Sequence, residues 1–129
     1  MYPLKFEPYL REMVWGGEKI APFKGIKTKQ HNIGESWEIS AVPGHVSTIA
    51  NGSLAGKSLT DVMNEYGPEL VGKKVFEKTG TEFPLLIKFI DAKSDLSIQV
   101  HPNDELAAKT HPGTVSYTHL RAHETSLHL

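Results

Sequence analysis

Polar and apolar positions alternate most regularly at two places along the chain. Residues 36–42, SWEISAV, change character almost step by step and read as a strand that ends at Pro43-Gly44. Residues 96–101, LSIQVH, alternate again, with Leu96, Ile98 and Val100 on one face and Ser97, Gln99 and His101 on the other. Pro102 has no N–H to give a ladder and closes that strand. VSTIA at 46–50 is a further candidate strand, closed by the turn pair Asn51-Gly52. PLLIKFI at 84–90 is apolar on both faces except at Lys88, as expected of a central strand in a packed sheet.

Helical spacing is clearest after Ser58, where Leu59, Val62, Met63 and Tyr66 make one apolar stripe. Ser58 is a good N-cap, Asp61 completes a capping box, and Gly67-Pro68 supplies the stop. NDELAAK at 103–109 predicts a short helix capped by Asn103. Residues 1–35 are punctuated by proline and glycine, so no long regular element is expected there, and Trp15 with Gly16-Gly17 reads as an anchored tight turn.

Asp91 to Asp95 form a polar turn, which predicts an antiparallel hairpin over residues 84–101. A four-residue loop, AKSD, sets Asp91 opposite Leu96 and puts Lys88 on the side of Gln99; a five-residue loop puts Lys88 on the other face. Four-residue loops are common and Lys88 needs a polar neighbourhood, which favours the first register. Several strands, few helices and short turns together suggest a β-sandwich or barrel.

Composition narrows the function classes. The 129 residues have room for one domain, and 22% charged residues with a net charge of −1 leave no basic field for nucleic acid or an anionic membrane. Without cysteine there are no disulfides, zinc knuckles or thiol nucleophiles. No apolar run approaches spanning length and the first residues lack a leader's apolar region, so a cytoplasmic protein is expected.

Candidate chemistry sits on the polar face of 96–101, where a hydroxyl, an amide oxygen and an imidazole follow one another at about 7 Å. An imidazole beside an oxygen donor suits a divalent metal. Q-x-H spacing by itself equally describes the polar face of an ordinary strand. His31 and His45 lie beside turn residues with no partner at ligand spacing and are expected to face solvent.

The surrounding residues decide between these readings. FPLLIKFIDAKSDLSIQVHPNDELA at 83–107 closely resembles the metal-site region of type I mannose-6-phosphate isomerases, zinc-dependent enzymes of the cupin superfamily. VWGGEKI at 14–20 and IGESWEIS at 33–40 agree with that family in order and distance. The resemblance implies a mainly β, cupin-like jelly roll, incomplete here, with one or two short helices. It implies zinc as cofactor and a hexose 6-phosphate as substrate, with mannose 6-phosphate and fructose 6-phosphate interconverted through an enediol. Gln99 and His101 match the family's first two zinc ligands, and Lys88 matches a lysine of the substrate cleft, able to bind phosphate or to move a proton. Ser97 would add a hydroxyl to the phosphate. Trp37 has two readings, a sugar-stacking ring or a core residue, and it stays outside the catalytic set with Glu35, Glu38 and the Trp15 turn.

The resemblance covers residues 1–113, expected to be the N-terminal part of the catalytic domain. The family continues with a glycine-lysine-threonine-glutamate run whose glutamate is a zinc ligand, and a further histidine ligand comes much later. TVSYTHLRAHETSLHL at 114–129 has no such match and reads as a tail of non-native sequence, similar to a translated adaptor. His119 and His123, spaced i, i+4, and His128 are read as adventitious. The chain alone is therefore expected to be inactive. Two other readings stay open: another cupin metalloenzyme, and a non-catalytic relative that binds sugar phosphates.

Overall fold

The computed structural model describes residues 1–96 and 104–110. In chain order it contains β1 (Tyr9–Gly17), α1 (Ile20–Lys24), β2 (Ile33–Ile39), a 3-10 turn at Gly52–Leu54, α2 (Leu59–Val71), α3 (Lys73–Thr79), β3 (Ile87–Ile90) and α4 (Asp104–Thr110). The strands form one antiparallel sheet in the order β1-β2-β3. Residues up to Leu96 form one compact unit; α4 belongs to a second and carries its own i, i+4 ion pair, Glu105 with Lys109 at 3.0 Å. Among the described residues no helix is long and apolar enough to cross a membrane.

Among the described residues β2 lies between β1 and β3, and the expected hairpin partner of the 84–90 run lies outside them. Ile33 to Trp37 are all buried, although the sequence there alternates with polar residues, because Gly34 and Ser36 are small and Glu35 is ion-paired. Among the described residues β3 pairs only with β2, its strand is confined to Ile87–Ile90, and its side chains are exposed.

β2 also lies earlier than the expected 36–42. Ser40 leaves the ladder because its N–H donates to the Ser47 hydroxyl at 2.8 Å and its own hydroxyl accepts from Val42 N–H. That local competition with the ladder is what serine side chains offer. The turn at Pro43-Gly44 forms as expected, closed by His45 N–H to the Val42 carbonyl, with Gly44 at the positive φ that a type II turn requires. VSTIA does not make a continuous strand. Thr48 and Ile49 make isolated bridges to Ser58 and Phe6, so the segment is pinned between two stretches over one residue each.

β1 overturns the expectation of irregular structure before residue 35. It hides from alternation because its register against β2 shifts between Arg11 and Glu12 and again before Gly17. Such bulges break the period of two. Gly16-Gly17 end this strand and do not form a tight turn. A Cβ on Gly16 would stand 2.0 Å from the Asn32 carbonyl oxygen, and one on Gly17 would stand 2.3 Å from the Asp91 carboxylate. Glycine is needed there for close approach of other chain segments.

α2 starts as predicted. The Ser58 hydroxyl accepts from Asp61 N–H at 3.1 Å and the Asp61 carboxylate accepts from Ser58 N–H at 3.3 Å. Gly67-Pro68 kinks it without ending it: Tyr66 leaves helical geometry and the helix resumes to Val71. Proline suits that restart, since a first-turn residue needs no N–H partner. Gly67 leaves room for the Phe76 ring of α3, which lies where a Cβ would sit. α1 and α3 are helices additional to the two expected. Val62 packs with Ile49 and Leu54 in the core, flanked by Tyr2, Phe6, Tyr66 and Leu70. The Tyr2 hydroxyl ties the first residues to this core, donating to the Asn51 carbonyl and accepting from Leu54 N–H.

Candidate active-site cluster

One face of the sheet gathers the polar chemistry. Cross-strand neighbours share a face, and the register sets Tyr9, Trp37 and Lys88 in one row with Arg11, Glu35 and Ile90 in the next. Glu35 is the centre. Its side chain is 9% exposed, with one carboxylate oxygen 2.9 Å from the Lys88 ammonium. The other accepts from the Trp37 indole N–H at 2.7 Å and from Arg11 at 3.3 Å.

Burial alone would raise the pKa of Glu35. Hydrogen bonds from Lys88 and Trp37, with the charges of Lys88 and Arg11, outweigh it and hold the carboxyl below its ordinary value. The aromatic surroundings fix the frame. Arg11 lies 4.9 Å over the buried Trp37 ring, and Tyr9 meets that ring edge-on at 5.7 Å. His45 is exposed, as expected, but not without company: its ring stacks on Tyr9 at 4.5 Å. His31 is exposed as well, 3.7 Å from Glu18.

The opposite face carries a separate pair, Lys24 with Glu38, to which the Ser36 hydroxyl also donates. The described residues include an open apolar groove beside Tyr2, Phe6 and Leu59 and another groove beside Pro22, Gln30 and His31, and neither is lined by Glu35, Trp37 or Lys88.

Of the residues singled out in the sequence, Lys88 sits in this cluster. Its need for a polar neighbourhood is met by Glu35 across the β2–β3 ladder. Ser97, Gln99 and His101, the hairpin register that depends on them, and the Asn103 cap lie outside the described residues. Among the described residues no group of three or more histidines, cysteines and acids is placed to hold a metal. An amide oxygen and an imidazole nitrogen are donors that zinc accepts, so the chemistry of Gln99 and His101 fits that ion.

The sequence reading leaves Glu35 outside the catalytic set and does not single out Arg11. Glu35 had a signal, since it shares strand parity with Trp37 in an otherwise buried stretch. Arg11 had none, because β1 does not alternate.

Comparison with known proteins gives the family of the chain. The family model for the phosphomannose isomerase type I catalytic domain matches residues 4–129. The probable mannose-6-phosphate isomerase GmuF of Bacillus subtilis is 39% identical over 117 residues, covering 91% of this chain and 36% of that protein. ManA, a mannose-6-phosphate isomerase of the same organism, is 40% identical over 105 residues, 81% of this chain and 31% of its own length. The crystal structure of a mannose 6-phosphate isomerase from Bacillus subtilis superposes with a TM-score of 0.74 at 36% identity, covering 90% of this chain and 35% of the other. A zinc-bound mannose 6-phosphate isomerase structure superposes at 0.67 with 29% identity, covering 82% and 27%. The chain thus spans about a third of the length of these relatives. A three-stranded antiparallel sheet with short helices is, in this chain, part of a cupin-type fold. The chain belongs to the type I phosphomannose isomerases, a family of mannose-6-phosphate isomerases.

Proposed function

We propose that the protein carrying this chain is a cytoplasmic, zinc-dependent isomerase that interconverts mannose 6-phosphate and fructose 6-phosphate. The observation that carries this reading is the catalytic-domain match over residues 4–129, which takes in both Lys88 and the Ser97–His101 stretch. The reaction moves a proton between C2 and C1, so it needs a base near carbon, a proton path between oxygens, and stabilisation of charge developing on oxygen.

Lys88 is the residue proposed to meet the substrate, as an ammonium that binds the phosphate or a sugar oxygen and as a candidate proton carrier. Its attachment to Glu35 supports a fixed position for that charge. Ser97 is proposed to donate a hydroxyl to the phosphate. Bound zinc supplies Lewis acidity toward the charged oxygen, and Gln99 and His101 are the side chains proposed to hold it. These two are half of a four-ligand set, so the 129-residue chain on its own is proposed to hold zinc weakly and to lack turnover.

The test is an assay of the full protein for mannose 6-phosphate and fructose 6-phosphate interconversion, with exchange of the C2 proton into solvent. Binding of hexose phosphate without exchange would replace this reading with that of a non-catalytic relative.

A further inference from the structure

A lysine ammonium is a compact charge on a flexible four-carbon stem, and by itself it samples a wide arc. Lys88 is held from the neighbouring strand. Glu35 reaches it diagonally, since the residue directly opposite Lys88 is Trp37. The carboxylate is locked at its far oxygen by the Trp37 indole at 2.7 Å, and Trp37 is itself buried against Tyr9. The near oxygen is the one that meets Lys88, at 2.9 Å.

The cluster is not balanced. Arg11 and Lys88 bring two cations to one carboxylate, and both side chains keep about a third of their surface in solvent. Arg11 has a second contact in the Trp37 ring beneath it, while the Lys88 ammonium has Glu35 as its ion-pair partner and an open side toward solvent. A surplus positive charge, aimed by a buried carboxylate, suits an anionic ligand such as a phosphate monoester.

We propose that Glu35 is a positioning residue: locked by the Trp37 indole, its carboxylate sets where the Lys88 ammonium points and shields it from Arg11. The inference rests on the reading of Lys88 as a substrate-binding group. Without the carboxylate, two cations share the space and Lys88 swings away.

Two measurements test it. In the ¹⁵N-labelled 129-residue chain, the Lys88 ammonium protons should exchange slowly enough to give a resolved signal, and Glu35→Gln should abolish it. In the full protein, Glu35→Gln should lower kcat by about 10²-fold, the cost of misplacing a positioned group. Removing the second cation should restore part of it, so Arg11→Met with Glu35→Gln should be about tenfold faster than Glu35→Gln alone, a rescue that a merely structural role does not give.

A wild-type Lys88 signal that exchanges as fast as those of the exposed Lys73 and Lys74 overturns the proposal, whether or not the variant folds. A double variant no faster than Glu35→Gln overturns it too. An inactive wild-type full protein removes the isomerase reading instead, and the ammonium signal then decides the role of Glu35 alone.

Discussion

Glu35 and Lys88 lie 53 positions apart in the chain and 2.9 Å apart in space, joined across the β2–β3 ladder by an ion pair whose acidic member is buried. The pair explains how a lysine can stand in an otherwise apolar strand. The charge is not left to snorkel alone; it is met by a carboxylate that has two further donors of its own.

Acid should weaken the fold through Glu35. Its folded-state pKa lies below the ordinary glutamate value of 4.5. A depressed carboxyl pKa stabilises the native state above the unfolded pKa, and that contribution is lost as pH falls through the folded value. Chemical denaturation from pH 7 down to pH 3 should show a decline, and Glu35→Gln should flatten part of it. Asp61 and Glu65 are shifted the same way but are exposed, so the difference between the two proteins isolates Glu35.

The start of α2 should depend on its reciprocal cap. Ser58→Ala removes the acceptor for Asp61 N–H and should cost about 0.5–2 kcal/mol of stability by denaturant midpoint. Ser58→Asp should keep most of it, because a carboxylate also accepts there and favours the positive end of the helix.

These two predictions rest on features of very different legibility. The α2 start was readable because its signals are local: a hydroxyl, an acid three positions later, and an apolar stripe over the next two turns. Lys88 was readable because a lysine in an apolar strand demands a partner. That partner was not readable. Glu35 is 24 residues from Arg11 and 53 from Lys88, and no local pattern carries a contact over such distances. β1 was hidden by its own bulges, and with it went Arg11 and the row that sets Tyr9 beside Trp37. The kink at Tyr66 shows a further limit. Gly67-Pro68 reads as the stop, yet the helix resumes beyond it to Val71, with the Phe76 ring of α3 packed over Gly67.

Leu59→Ala should destabilise the chain by about 2–5 kcal/mol, the range for emptying a packed leucine site. Leu59 is 1% exposed and lies on the first turn of α2, where the neighbouring Val62 and Met63 are equally buried. Thermal and denaturant unfolding should agree on the loss. A change within a few tenths of a kcal/mol would mean that the site collapses without a cavity.

Gly16→Ala should cost about 1–3 kcal/mol, as overpacking does. The added methyl would meet a backbone carbonyl, that of Asn32, which cannot swing aside as a side chain would. Because Gly16 also bridges Ala92, the variant should loosen the chain after β3, seen as faster amide exchange at Lys93, whose N–H donates to the Trp15 carbonyl at 2.8 Å. Unchanged exchange there would show that the strain is absorbed elsewhere in β1.

Metal content should separate the two proposed zinc ligands. Under the isomerase reading, His101→Ala in the full protein removes an imidazole nitrogen from a four-ligand site, and both bound zinc and isomerase activity should fall to background. Gln99→Ala removes a neutral amide oxygen, a weaker donor, and should leave more metal and more activity. Elemental analysis of the purified proteins and assays in zinc-supplemented buffer supply the comparison. Extra zinc should recover the Gln99 variant more readily, because it keeps the stronger donor. A His101 variant that stays fully metallated and active would take His101 out of the zinc site, and with it the assignment that Gln99 shares.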